Sequence, residues 1–303
     1  MFDGIVREIL TTNGVKESLY WGSYFVFPFL GLTAYKFCTL QKFWQKTIAV
    51  IIILASLLFV WTRFVEPQII IIKHTNIEVN WTQPLTAVLI ADPHLGVYKG
   101  PQFLEKVVTK INTIEADLVL IAGDFVYHSD DLESDFAPLQ NINKPVFAVF
   151  GNHDAGFPGE DVRTKLATIL QQYNVTVLTN QDVLLNNNVV LLGLGSHWAQ
   201  NDMTNILSNY APEQNILVML HNPDSTRCYP VHDVADITVA GHTHCGQIRL
   251  PWLYKSQIPT VGNFDGGLTR ESNGQLFISC GLGEVGLPLR FLNPPTIDVL
   301  HLR

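Results

Sequence analysis

Charge is what this sequence has least of. Of 303 residues, 15% are Asp, Glu, Lys or Arg and 47% are hydrophobic. Ordinary soluble domains carry about 25% charged residues, so part of the chain is expected to sit outside water, and a disordered or collagen-like chain is excluded. Cysteine is equally scarce. Cys38, Cys228, Cys245 and Cys280 form no CxxC pair and none of the short, even spacings of a zinc ribbon or a disulfide framework. There is no internal repeat and no low-complexity tract. No twin-arginine pair is present and no small-x-small cleavage pattern follows the N-terminal apolar runs, which argues against a cleaved export signal. Basic clustering is missing too: residues 74–303 hold 12 Lys/Arg against 23 Asp/Glu. Phosphate-backbone binding needs clustered Lys and Arg, so no nucleic acid partner is expected.

Residues 1–73 differ, with 7 Lys/Arg against 4 Asp/Glu. Residues 18–35 contain no Asp, Glu, Lys, Arg or His and would span about 27 Å as a helix, although Pro28 and Gly31 interrupt them. Residues 47–62 are apolar between Lys46 and Arg63, whose stems can snorkel, with Trp44 and Trp61 placed as interfacial aromatics. The expectation is a membrane anchor over 1–73, a transmembrane hairpin with segments near 18–35 and 47–64, the competing reading being buried core helices. The bilayer is then a partner. The linking stretch 36–46 carries three lysines and no acid, which favours a cytoplasmic loop and an external second piece. Arg7, Lys16, Arg63 and Lys73 oppose this by four to three and leave the side of the membrane open.

Beyond Pro84, short apolar runs alternate with amphipathic stretches, the pattern of an α/β domain, assigned to 74–303. The runs 85–91, 118–122, 146–150, 189–194, 216–220 and 237–240 read as strands, and 103–114 and 162–170 as helices. Five of the six runs end on groups able to ligate a metal: Asp92 and His94; Asp124; Asn152, His153 and Asp154; His221; His242 and His244. In open α/β sheets the carboxyl ends of strands form the crevice, so these donors are expected to converge. They are too many for one ion and suit two, with a carboxylate such as Asp124 bridging. Mixed oxygen and nitrogen donors without thiolate favour Mn, with Fe or Zn as alternatives. A glycine precedes Asp124, Asn152 and His242, giving the turn and clearance that a crowded site needs.

In their order these residues resemble the calcineurin-like metallophosphoesterase superfamily: D-x-H at Asp92/His94, G-D at Gly123/Asp124, G-N-H-D at 151–154, His221, and G-H-x-H at Gly241/His242/His244. The resemblance covers about residues 84–303. The stretches 242–251 and 280–283, with Pro288, Arg290, Pro294 and Pro295, are similar to its membrane-anchored bacterial branch. That branch includes enzymes hydrolysing the pyrophosphate of UDP-diacylglucosamine in lipid A synthesis. The resemblance implies an αββα two-sheet sandwich and a multi-pass protein of a bacterial inner membrane. It also implies two divalent ions, the first held by Asp92, His94, Asp124 and His244, the second by Asp124, Asn152, His221 and His242. His153 is left as the unligated catalytic residue, stabilising the transition state or protonating the leaving oxygen. The implied reaction is hydrolysis of a phosphodiester or pyrophosphate bond by activated water, possible substrates including a lipid-linked one.

One departure stands out. Many relatives have Asp three residues after the bridging Asp, where it orients the catalytic histidine; here that position is Tyr127, with Asp154, Asp130 or Asp131 as candidate replacements. Cys245, beside His244, is read as a packed thiol. His74, His128, His197, His232 and His301 are read as structural, His197 least securely because it follows a strand-like run. Residues 251–274, with Lys255 and Arg270, are expected to form a loop at the substrate rim. The alternative to an enzyme is a membrane-tethered, catalytically weak metal-binding scaffold, which intact motifs argue against.

Overall fold

The computed structural model describes residues 13–229, 235–262, 264–271 and 274–303. His232 therefore lies outside the described residues. The strands in chain order are β1 (Ile71–Ile77), β2 (Leu85–Ile90), β3 (Leu95–Gly96), β4 (Leu118–Ala122), β5 (Val126–His128), β6 (Val146–Val149), β7 (Val175–Val177), β8 (Gln181–Leu184), β9 (Val189–Gly193), β10 (Asn215–Met219), β11 (Ile237–Ala240), β12 (Gly267–Glu271), β13 (Gly274–Ile278) and β14 (Thr296–Leu302). The α-helices are α1 (Asn13–Gly22), α2 (Val26–Thr39), α3 (Phe43–Val60), α4 (Pro101–Asn112), α5 (Leu132–Phe136) and α6 (Arg163–Gln172).

Two six-stranded sheets pack face to face, ordered β1-β14-β2-β4-β6-β7 and β12-β13-β11-β10-β9-β8. Strand alternation fixes the layers. Ala87, Leu89, Leu118 and Leu120 point to the inter-sheet core with Leu191, Leu217, Met219, Val239 and Phe277. Val88, Ile90, Val119 and Ile121 point the other way, against Leu104, Val107 and Ile111 of α4 and Leu166 and Leu170 of α6. Both faces of β2 and β4 are covered, so these strands read as continuous apolar runs rather than alternating ones.

The outer layers differ from the αββα expectation. The first sheet is covered by α4, α5 and α6. Over the second, among the described residues, 3-10 turns at Thr204–Asn209 and Pro223–Cys228 stand where α-helices were expected. The sheets are mixed: β14 runs antiparallel to β2, and β8 and β12 are antiparallel edges of a parallel set. The 251–274 loop is shorter than expected, because β12 begins at Gly267. Arg270 on that strand approaches Glu78 at 4.0 Å, level with Gln275 at the start of β13 and away from the strand ends that carry the motifs.

Among the described residues one helix, Phe43–Gln68, is long and apolar enough to cross a bilayer. The expected first segment is divided by a 3-10 turn at Ser23–Phe25, leaving α2 with 14 residues, about 21 Å. A link at 40–42 joins α2 to α3, and the Ser23 hydroxyl accepts from Arg63 Nε at 3.0 Å. The two helices therefore run antiparallel.

The N-terminal apolar segment does not end cleanly before the α/β domain. Thr62 carbonyl accepts from Arg290 N at 2.9 Å, Glu66 Oε1 from Asn293 N at 2.6 Å, and Pro67 carbonyl from Lys99 Nζ at 2.5 Å. Lys99 also pairs with buried Glu284 at 3.2 Å. β1 then starts at Ile71 and pairs with β14 along its whole length, so the isoleucine run is part strand.

Candidate metal centre

The motif residues stand where their strands stop. β2 delivers Asp92 and His94, β4 Asp124, β6 Asn152 and His153, β10 His221, and β11 His242 and His244. The first three strands belong to one sheet and the last two to the other, so the groups meet across the ends of both. The turns off the strands are sharp: Asp92, His94, Asp124, His242 and His244 all have positive φ, between 45 and 71°. L-residues held there store about 1–3 kcal/mol each, and such strain collects at functional sites. A Cβ on Gly151 would overlap the Asp124 carboxylate, which explains glycine at that position.

Three sets of potential ligand atoms lie within 4.8 Å of one another: Asp92, His94 and His244; His94, Asp124 and His153; Asp124, His221 and His242. Asp124 links them. Its Oδ1 accepts from His153 N at 2.8 Å, while Oδ2 stands 3.5 Å from His94 Nε2 and 3.2 Å from His221 Nε2. Asn152 donates through Nδ2 to Phe157 carbonyl, which turns its Oδ1 toward His221 Nε2 at 3.1 Å. All seven expected ligands are thus brought together, every one buried.

His221 Nδ1 lies 2.7 Å from Ala122 carbonyl and His242 Nε2 3.1 Å from Pro259 carbonyl, so those nitrogens donate. In the neutral rings the lone pairs of His221 Nε2 and His242 Nδ1 then face each other at 3.1 Å. His94 Nε2 and His244 Nε2 stand 3.2 Å apart, and the Nδ1 atoms of both rings are buried without a partner. Acceptor facing acceptor at such distances repels unless a cation or proton lies between. Burial and neighbouring imidazoles hold His94 and His244 well below the ordinary histidine range, and take His242 down to about 3. His221 goes the other way. Burial would lower it, but the Asp124 and Asp92 carboxylates hold it up at about 9. Burial also pushes Asp92 up to about 7, with Asp124 adding to it. The residues fit two divalent ions.

His153 is half-buried, its ring 4.7 Å from that of His94 and 5.8 Å from that of Tyr127. None of the three expected substitutes for the missing Asp orients it. Asp154 is buried and accepts from Gly151 N and Val126 N, holding the loop; Asp131 caps α5 through Ser134 N; exposed Asp130 approaches half-buried His128 at 3.8 Å. Tyr127 packs there instead, its hydroxyl accepting from Gly286 N at 2.9 Å, and Lys16 of α1 lies 3.9 Å over its ring.

Cys245 is not a free thiol: it forms a disulfide with Cys280, tying the His244 turn to the end of β13. The sequence separation of 35 hid the pair, since no local spacing signals a bridge made only by tertiary folding. His74 and His301 stack on each other at the β1–β14 edge, as structural residues do. His197 lines a groove of about 840 Å³ beside the centre with Phe157, Trp198, Pro259 and Val261. Its Nδ1 bonds Asp202 at 2.7 Å, Ser225 donates to the same carboxylate, and this bond to Asp202 raises the imidazole. Trp198 packs edge-on to His242 at 5.1 Å. Asn293 was also unforeseen: its Nδ2 donates to His244 carbonyl at 2.7 Å.

The calcineurin-like phosphoesterase family matches residues 85–246, which include every motif above. An uncharacterized metallophosphoesterase of Helicobacter pylori is 30% identical over 264 residues, covering 82% of this chain and 68% of the relative. The UDP-2,3-diacylglucosamine pyrophosphatase LpxG of Chlamydia muridarum is 26% identical, covering 84% of this chain and 97% of its own. The phosphodiesterase YaeI of Escherichia coli is 27% identical, covering 72% and 82%. With the same ordered motifs converging at the ends of two sheets, the chain belongs to the calcineurin-like phosphoesterase family and is a metal-dependent phosphoester hydrolase.

Proposed function

We propose that this hydrolase cleaves a phosphodiester or pyrophosphate bond of a lipid-linked substrate at the membrane surface, and that UDP-2,3-diacylglucosamine is the first substrate to test. The observation that carries the reading is the junction of the apolar helix with the centre: residues 62–67 bond Arg290, Asn293 and Lys99, and Asn293 bonds His244. The relatives named LpxG support the pyrophosphate, and an 840 Å³ groove with Trp198 and Phe157 offers flat apolar surface for a planar group such as a nucleobase. We assign Asp92, His94, Asp124 and His244 to one ion and Asp124, Asn152, His221 and His242 to the other, preferring manganese. Two bound cations supply Lewis acidity and lower the pKa of water for attack at phosphorus. Asp124 holds the shared position, Ala122 and Pro259 carbonyls orient His221 and His242, and His153 meets the developing charge or the leaving oxygen. The antiparallel α2 and α3 form the hairpin that holds the domain at the bilayer.

The Cys245–Cys280 disulfide favours a more particular version, in which the domain faces the oxidising side and the lipid-linked substrate carries no cytosolic nucleotide. Lysines 36, 42 and 46 at the far end of α3 agree with it. Purified full-length protein with Mn²⁺ would be given three substrates in detergent micelles: UDP-2,3-diacylglucosamine, a lipid pyrophosphate without nucleoside, and a short water-soluble diester. Preference for the first supports the LpxG-like reading, and preference for the second the external one. A kcat/KM highest on the soluble diester would overturn both.

A further inference from the structure

The chain between the His244 turn and β12 leaves the domain surface as an apolar tip. Leu250, Trp252 and Leu253 are 44, 96 and 64% exposed, and Leu292 beside them 61%. Trp252 and Leu292 are both held at positive φ, 67 and 54°, so these large side chains are presented by backbone that such residues avoid. The base of the tip is rigid. Arg249 bonds Asp265 at 3.0 Å and the Tyr254 hydroxyl at 3.0 Å, and Tyr254 donates to Asp265 at 2.7 Å. A fixed base carrying an exposed tryptophan and three leucines is unlike a surface loop selected for water.

Its position identifies what covers it. Arg249 N donates to Phe291 carbonyl at 2.9 Å, Ile248 bridges Phe291, and the neighbouring Arg290 N donates to Thr62 carbonyl at 2.9 Å. Thr62 follows Trp61, the aromatic at the domain end of α3. The tip and Leu292 therefore surround the point where the apolar helix enters the domain. We propose that residues 250–253 and Leu292 seat in the headgroup region of the bilayer that α3 crosses, a second membrane contact beside the helix. Two contacts fix tilt as well as distance, which one helix does not. The same loop continues to Pro259 and Val261, which line the groove, and Pro259 carbonyl orients His242. Docking the tip sets the mouth of the groove at the depth of a lipid headgroup, so that a lipid-linked phosphate reaches the centre without leaving the bilayer. The inference rests on the proposed crossing of α3 and leaves open which lipid is cleaved.

The test uses full-length protein in which the exposed free cysteines Cys38 and Cys228 are replaced by serine and the disulfide is retained. An environment-sensitive fluorophore is attached through Leu253→Cys, through Ile51→Cys within α3, or through Leu184→Cys at the opposite end of the second sheet, and vesicles carry spin-labelled lipids. The expected result is quenching of the Leu253 label by about half or more at shallow depth, deep quenching of the Ile51 label, and none at Leu184. A quenched Ile51 label with an unquenched Leu253 label overturns the docking and leaves the crossing intact. Loss of quenching at both overturns the crossing and the docking together. Concentration-dependent shielding of Leu253 without lipid quenching assigns the tip to a second copy of the chain, and also overturns the proposal. As a functional arm, Trp252→Glu with Leu253→Glu is expected to keep its rate on a soluble ester and lose about tenfold or more on a lipid-linked ester in vesicles. Equal rates on both esters count against the docking.

Discussion

Asp124 divides its two oxygens between structure and chemistry, Oδ1 taken by His153 N and Oδ2 standing between His94 and His221. Asp124→Asn keeps the first contact through its amide oxygen but removes the anion that two cations would share. Bound metal is expected to fall and turnover to vanish, as metal analysis and a phosphodiester assay would report. His153→Ala should separate these readouts: metal content unchanged and kcat lower by about 10² or more, in proportion to one lost acid or electrostatic stabiliser. Because His153 also lies within ligating reach of His94 and Asp124, loss of metal in this variant would make it a ligand. Away from the centre, Asp298 is buried and accepts from Ser279 Oγ at 2.7 Å; burial pushes it up to about 6. A carboxyl whose folded value is raised favours the folded state below the unfolded value near 4, and that contribution, about 3 kcal/mol, is lost as pH rises through 6. Asp298→Asn should remove this slope, so the difference in unfolding temperature between variant and parent should move in the variant's favour between pH 4 and 7. A difference independent of pH would exclude Asp298 as its source.

At the scale of elements, the segment after β13 joins residues 61–66 at the end of the apolar helix to the site. Glu66 accepts from Trp61 Nε1 and from Asn293 N, and Asn293 passes the contact to His244 carbonyl. Arg290, fully buried, donates to Cys280, Gly281, Gly283 and Asn293 carbonyls and holds this segment in a compact turn. His244 sits at a positive φ that needs such support. Asn293→Ala should weaken metal binding by about 10-fold or more, the usual scale for groups that orient ligands, with the fold retained. Chelator competition on the full chain would measure it, and an unchanged affinity would show that the His244 turn holds itself.

For the molecule as a whole, the segment 61–68 that follows α3 and the α/β domain are one folded unit. Removing residues before Ile70 strips Thr62, Glu66 and Pro67 from Arg290, Asn293 and Lys99. Each buried donor left without a partner costs about 1–3 kcal/mol. A chain beginning at Ile70 should therefore unfold at least about 6 °C below one beginning at Trp61, with α1, α2 and α3 missing from both. A difference under about 2 °C would return residues 61–68 to the role of a passive linker. A cut near His74 removes the first residues of β1 as well, so it tests folding before it tests membrane attachment.

The central strands β2, β4, β6, β9, β10 and β11 and the motif residues at their ends are legible in the chain alone, because strands buried on both faces must be apolar runs and donors must follow them at the carboxyl edge. Helices α4 and α6 are legible from their spacing. Others are not: β8 and β12 are sheet edges whose exposed faces impose no continuous apolar run, and β14, though buried between β1 and β2, has its run broken by Asp298 and His301. The ligand identities follow from residue type and order, but the tautomers do not, since Ala122 and Pro259 carbonyls reach His221 and His242 only across the folded site. Nor does local sequence announce that Cys245 meets Cys280, that Tyr127 occupies the place beside His153, or that His197 turns into the groove on Asp202. Composition and periodicity settle which residues leave water and which face each strand shows. The contacts of Asn293, the disulfide and the docking of 61–68 join residues from 32 to 228 positions apart, and only the closed fold brings them within bonding distance.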